Sequence, residues 1–255
     1  MKLEGRIALV TGGATGIGRA TVMHLARSGV AGIAINYRSA ERQAEETAAE
    51  VGAMGVEAMC IYADLTDDGQ VRQMVSQVSE RFGRLDVLVN NAGVTHWVPI
   101  TDLEGLTDAM WDEILDVNVK AAFRCTRAAA PLLSEARGAV VNVSSISGVL
   151  ATPTLSSIAY GTAKAGLIYL TRALAVALAP NVRVNAVAPA FTDTPWMKDH
   201  FGDEYDQTIT RAASSFPLGR IATVEDVAEA IVGLVTGGDF VTGQTLIVDG
   251  GLSLS

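Results

Sequence analysis

Only two cysteines occur among the 255 residues, Cys60 and Cys125, and they stand far apart. Neither a CxxC redox motif nor a cysteine-rich zinc site can be built from them, so both are expected as buried free thiols. Histidine is nearly as scarce. His24, His96 and His200 show no spacing of the HExxH kind, and no metal is expected. Basic residues fall short of acidic ones, 19 against 28 for a net charge of −9, and no dense Lys/Arg run occurs. That balance argues against nucleic acid and anionic membrane surfaces as partners. Long hydrophobic runs are missing too: ALAVALA at 173–179 is far shorter than the roughly 20 residues a membrane span requires. The opening MKLEGRIALVTGG lacks an apolar stretch with a small-residue cleavage site. A soluble cytoplasmic protein is expected.

What is present is apolar side chain: 49% of residues are hydrophobic and 18% charged, enough to bury a sizeable core in one α/β domain spanning 1–255. Strand-like runs alternate with helical periodicity along the whole chain. Strands are expected at 6–11, 32–37, 56–62, 85–90, 139–143, 182–188 and 244–249. Helices are expected near 16–28, 40–52, 67–82, 108–136, 159–179 and 224–236. Strands that are almost wholly apolar and separated by helices imply a parallel sheet covered on both faces. The expected fold class is therefore α/β, a single-domain doubly wound sheet of Rossmann type with seven strands. One long stretch, 189–222, reads as irregular and is expected to cover an active site.

The first strand runs into Thr11-Gly12-Gly13-Ala14-Thr15-Gly16-Ile17-Gly18, a glycine-rich turn opening into a helix. Gly12, Gly16 and Gly18 let the main chain approach a pyrophosphate. The uncommitted N–H groups of the helix start, at Thr15 and Ile17, favour its negative charge. A dinucleotide cofactor is implied, although the GxxxGxG spacing differs from the common GxGxxG. The second strand ends in Asn36-Tyr37-Arg38-Ser39. An acidic residue there would bind the ribose hydroxyls of NAD(H). Here no carboxylate stands to repel a 2′-phosphate, and the Arg38 guanidinium is suited to bind one. NADP(H) is preferred, with NAD(H) open as an alternative.

Tyr160 and Lys164 are four residues apart and share one helical face. A neighbouring ammonium stabilises a phenolate, so Tyr160 is expected to exchange a proton closer to neutral pH than a free phenol does. Four further features accompany this pair: the glycine turn, Asn90-Asn91-Ala92-Gly93 after the fourth strand, Asn118 in the long helix, and Val143-Ser144-Ser145-Ile146-Ser147-Gly148 after the fifth strand. All but Asn118 follow the C-terminal ends of strands, where doubly wound sheets bind ligands. Together these residues resemble the short-chain dehydrogenase/reductase family, from about Leu3 to Gly251. The C-terminal TGQTLIVDGG resembles the branch holding 3-oxoacyl-acyl-carrier-protein reductases and glucose dehydrogenases.

The resemblance implies an oxidoreductase interconverting a ketone and a secondary alcohol, with Asn118, Ser145, Tyr160 and Lys164 as its catalytic tetrad. Ser145 would bond the substrate oxygen, Tyr160 would supply the proton, Lys164 would hold the nicotinamide ribose, and Asn118 would anchor a proton-relay water. Asp64 and Leu65 would lie on the adenine side. Asn91, Ala92 and Gly93 would support the cofactor, and Pro189 and Thr192 would contact the nicotinamide. A homotetramer is also implied, with the helices at 108–136 and 159–179 at one interface and the last strand at another.

Some positions depart from the family pattern. Pro189-Ala190 stands where the family commonly has Pro-Gly, and the stretch from Ser145 to Tyr160 is slightly long, carrying Leu150, Pro153 and Leu155 at the expected pocket rim. Ser147 competes with Ser145 for the substrate oxygen, and His96 lies close beyond the Asn91-Ala92-Gly93 turn. Phe191, Trp196, Met197, Phe201, Tyr205, Ile209 and Phe216 suit either an apolar substrate pocket or packing of the loop and a subunit interface. A carbonyl or alcohol of small or medium apolar character is the expected partner. An acyl-carrier protein is acidic and calls for a basic rim. Leu132-Leu133-Ser134-Glu135-Ala136-Arg137 offers one arginine beside one glutamate, and Ala177-Leu178-Ala179-Pro180 none, which counts against 3-oxoacyl-acyl-carrier-protein reduction. A glucose dehydrogenase and a catalytically silent cofactor-binding regulator complete the alternatives. The second would be favoured by a missing tetrad residue, and none is missing. Sugar-nucleotide epimerases share YxxxK but have longer chains.

Overall fold

The computed structural model describes residues 1–151 and 157–254; Pro153 and Leu155, expected at the pocket rim, lie outside the described residues. Seven parallel strands form one sheet in the order β3-β2-β1-β4-β5-β6-β7: β1 (Ile7–Val10), β2 (Gly32–Tyr37), β3 (Glu57–Tyr62), β4 (Val87–Asn90), β5 (Ala139–Val143), β6 (Arg183–Pro189) and β7 (Thr245–Val248). The helices between them are α1 (Gly16–Arg27), α2 (Glu41–Ala53), α3 (Asp68–Phe82), α4 (Asp108–Leu115), α5 (Ala121–Ala136), α6 (Ile158–Ala177), α7 (Pro195–Phe201), α8 (Tyr205–Ala213) and α9 (Val224–Thr236).

Strand alternation sorts the side chains into two cores. In β1, Ala8 and Val10 pack with α1 and α9, whereas Ile7 and Leu9 pack with α3, α5 and α6. The period of two repeats in β4, where Val87 and Val89 face one layer and Leu88 the other. Burying both faces is what makes these strands nearly all apolar. Asp86, fully buried before β4, accepts bonds from Arg6, Arg84 and the Ile7 N–H, which ties the start of β1 to that of β4. The order reverses between β1 and β4, so their C-terminal ends diverge into a crevice.

Three expectations about elements need correction. The stretch 189–222 is not irregular: it contains α7 and α8, the first started by Thr194, whose side chain accepts from the Met197 N–H, with Pro195 beside it. The helix at 108–136 is not uniform. A π turn, Asp116–Lys120, interrupts it between α4 and α5, a feature frequent at functional sites. Cys125 is a buried free thiol, but Cys60, on β3, is only partly buried. Among the described residues, no helix is long and apolar enough to cross a membrane.

Candidate active site

The crevice at the β1/β4 reversal opens into a cavity of about 500 Å³. One wall is the glycine turn, in which Gly12 and Gly16 adopt φ of +59° and +53°, angles that side chains disfavour. Gly18 does not line the cavity; it is the packing glycine of the turn. A Cβ there would lie 2.1 Å from the Gly12 carbonyl and 2.6 Å from the Asn91 amide nitrogen. Asn91 fastens this turn to the end of β4, its Nδ2 donating to the carbonyls of Thr11 at 3.0 Å and Gly12 at 3.1 Å. The Thr11 hydroxyl in turn accepts from the N–H groups of Asn91 and Ala92.

Helix starts differ in a way that bears on charge. Asp67, Thr107, Ser157, Thr194 and Thr223 cap α3, α4, α6, α7 and α9 with their side chains. Thr15 and Ala40, which begin α1 and α2 and line the cavity, provide no side-chain cap. Their N–H groups are thus left for an anion. Tyr37, Arg38 and Ser39 continue this wall toward Asp64 and Leu65. Arg38 is half exposed and makes only a loose 4.0 Å contact with Asp64. Burial works against the Asp64 carboxylate, but the Thr66 N–H and hydroxyl, with Arg38 and Arg124 nearby, outweigh it and hold its carboxyl below the usual range.

The opposite wall carries the residues that can move a proton. Ser145, at the end of β5, shares a hydrogen bond with the buried Tyr160 hydroxyl, and its own Oγ accepts from the Ser147 N–H at 3.1 Å. Lys164 is buried, its Nζ donating to the Val143 carbonyl at 2.9 Å and lying 5.4 Å from the centre of the Tyr160 ring. The expected acidification of Tyr160 is not seen in the free chain. Burial pushes its hydroxyl up to about 12, against a smaller downward pull from Ser145, and burial brings Lys164 down to about 8. Both charged forms are disfavoured by desolvation in the buried wall.

Asn118 sits in the π turn behind this wall. Its Nδ2 donates to the carbonyls of Val94 at 2.8 Å and Ile114 at 2.9 Å. Its buried Oδ1 has no protein partner. A Cβ on Gly93 would stand 2.8 Å from that oxygen and 3.4 Å from Lys164 Nζ, so Gly93, Asn118 and Lys164 converge. The uncapped helix starts, the positive-φ glycines and this orphaned acceptor fit a dinucleotide laid from Arg38 to Tyr160.

Of the residues expected from sequence, Gly12, Thr15, Gly16, Ile17, Tyr37, Arg38, Ser39, Asp64, Leu65, Asn91, Ala92, Gly93, Ser145, Ser147, Tyr160, Lys164, Pro189, Thr192 and Trp196 line one cavity. His96 and Leu150 are not among its lining residues. The His96 ring is held at 2.8 Å by Glu113, and the neighbouring Trp97 enters the cavity instead. Sequence reasoning missed Trp97. The signal was its place beside His96, where the titratable neighbour drew attention from the larger apolar ring. Val94, Val117, Ile146 and Pro195 were missed as well, because apolar residues near a site read as core.

A glycine turn opening into an uncapped helix and a buried tyrosine bonded to a serine meet at one crevice of a doubly wound sheet, an arrangement that suits a nicotinamide-dependent oxidoreductase. A family model described as enoyl-(acyl carrier protein) reductase matches residues 12–253. A protein of Streptomyces violaceoruber described as a granaticin polyketide synthase ketoacyl reductase is 42% identical over 252 residues, covering 98% of this chain and 97% of that one. The 3-oxoacyl-acyl-carrier-protein reductase of Thermotoga maritima is 36% identical over 260 residues, covering 99% of each. A crystal structure described as a short-chain dehydrogenase/reductase of Burkholderia xenovorans superposes with a TM-score of 0.91 at 33% identity, covering 98% of each chain. The chain belongs to the short-chain dehydrogenase/reductase family of oxidoreductases.

Proposed function

We propose that the protein interconverts ketones and secondary alcohols with NADP(H), using Tyr160 as general acid and base. The observation that carries this reading is the Tyr160 hydroxyl, bonded to Ser145 and close to Lys164, in the same cavity as the glycine turn. Pro189 and Thr192, which line the cavity, would hold the nicotinamide, and a reduced nicotinamide would supply the hydride when bound. In reduction, Ser145 and Tyr160 donate hydrogen bonds to the carbonyl oxygen. The phenol, kept protonated by burial, passes its proton to the developing alkoxide, a stronger base than the phenolate left behind. At neutral pH Lys164 lies below its value of about 8, so its ammonium stands beside the ring and stabilises that phenolate. Ser147 supports Ser145 through its N–H, and the free acceptor of Asn118 suits a proton-relay water.

Arg38, the uncapped start of α2 and the missing carboxylate at the end of β2 support NADP(H) over NAD(H). The segment 189–222 is proposed as the substrate cover, since Phe191, Trp196 and Met197 reach into the cavity from it. Exposed Tyr169 and Val176 on α6 and Leu246 and Ile247 on β7 support a homotetramer. The names of the relatives favour a second reading, reduction of a 3-oxoacyl thioester, by the same chemistry on a longer substrate. A panel of simple ketones, 3-oxoacyl thioesters and sugars, followed by NADPH absorbance, tests the proposal. Ketone-dependent oxidation of NADPH is expected, and a panel that leaves NADPH unchanged contradicts it.

A further inference from the structure

Phe, Trp and Tyr make up only 5% of the chain, yet five rings touch in an unbroken row that begins at the tyrosine of the site. Tyr160 lies 6.1 Å from Trp196, centre to centre, and Trp196 lies 5.3 Å from Trp97. Trp97 stacks on His200 at 3.9 Å with planes 11° apart, and Phe201 closes the row 4.6 Å from His200. The row joins three separate segments, the start of α6, the loop after β4 and the helix α7. It places two of the three tryptophans at one end of the cavity.

These rings are not simply the core of the cover. Trp196 is 42% exposed, Met197 is the one buried residue of α7, and α8 buries none. A half-exposed indole at the mouth of a cavity gains from an occupant that removes its face from water. The same cavity is lined by Val94, Val117, Ile146, Phe191 and Met197 and, among the described residues, by the hydroxyls of Ser145, Ser147, Tyr160, Thr192 and Thr194. His200, stacked behind Trp97, fixes the plane that a substrate meets.

We propose that the preferred substrates are ketones carrying a fused aromatic ring, which packs on Trp196 and Trp97 while the carbonyl oxygen lies at Tyr160 and Ser145. This rests on the ketone-reductase reading of the site and names its substrate class. Flat rings stack on indoles with an attraction beyond that of buried area alone, whereas a saturated ring or linear acyl chain gains only the area.

The test compares 2-tetralone with 2-decalone, which share a skeleton and an unconjugated carbonyl, using wild-type protein and saturating NADPH. We expect kcat/KM to favour 2-tetralone by about tenfold. The ratio should fall toward one in Trp196→Leu and Trp97→Leu and be largely kept in Trp196→Phe. Equal kcat/KM for both ketones in the wild type, or a ratio unchanged in the leucine variants, overturns the inference while leaving the ketone-reductase reading intact. Should Trp196→Leu not fold, the wild-type ratio and Trp97→Leu decide. Should no ketone be reduced, the functional reading fails instead, and tryptophan fluorescence decides the inference. Quenching by 2-tetralone at about tenfold lower concentration than any effect of 2-decalone supports it, and equal concentrations overturn it.

Discussion

Lys164→Met is expected to stabilise the protein while removing its activity. Lys164 is buried, and desolvation lowers its value from 10.5 to about 8. At 1.36 kcal/mol per pH unit, that fall corresponds to about 3 kcal/mol spent holding the ammonium in the folded chain at pH 7. Methionine has similar length and no charge, but it gives up the charged bond to the Val143 carbonyl, worth about 1.5–3 kcal/mol. The variant should therefore gain up to about 2 kcal/mol at pH 7, at most roughly 4–8 °C in Tm for a chain of this size. The sign with pH follows from proton linkage. Between about 8 and 10.5 the unfolded lysine binds more proton than the folded one, so wild-type stability rises with pH across that window. The advantage of Lys164→Met should be full below pH 8 and gone near pH 10.5. Urea unfolding of both proteins at several pH values measures it. A variant less stable than wild type at pH 7, or an advantage that does not change with pH, would refute the reasoning. Turnover should drop by about 100-fold or more, because the phenolate keeps only the Ser145 bond and loses the neighbouring ammonium.

Two further outcomes concern the cofactor. Arg38→Ala should weaken NADPH binding by about 10- to 100-fold, the strength of a charged hydrogen bond, and leave NADH binding unchanged; titration of both cofactors checks it, and equal affinities in the wild type would contradict it. Gly18→Ala should weaken cofactor binding by about tenfold or more, since the added Cβ meets the Gly12 carbonyl at 2.1 Å and the turn must shift. Gly233→Ala in α9 meets nothing within 4 Å and should instead add up to about 1 kcal/mol of stability, read by thermal unfolding.

The sheet was legible because its inner strands are buried on both faces and read as nearly unbroken apolar runs, as IALV of β1 and AVVNV of β5 do, while the partly exposed edge strands β3 and β7 keep enough apolar residues to follow them. The glycine turn and the Tyr160/Lys164 pair were legible because steric need and helical spacing are local properties. The π turn at Asn118 was not, since DVNVK keeps the apolar pattern of an α-helix. Its wider turn is held by the Asn118 amide bonds to Val94 and Ile114, the first of them a distant partner. The helix α7 did carry a local signal in Thr194-Pro195, a cap followed by proline, which the surrounding irregular sequence obscured. The rise of Tyr160 to about 12 could not be read from spacing, because burial is a property of the assembled fold. Trp97 and Trp196 likewise meet only after the loop beyond β4 and α7 come together.

Tyr160→Phe is the most direct test of proton transfer at this hydroxyl. The substitution removes one oxygen and keeps the ring packed against Trp196. Turnover of a reducible ketone should fall at least 100-fold, with NADPH affinity held within about twofold. Activity within tenfold of wild type, measured on protein that still binds NADPH, would contradict the assignment.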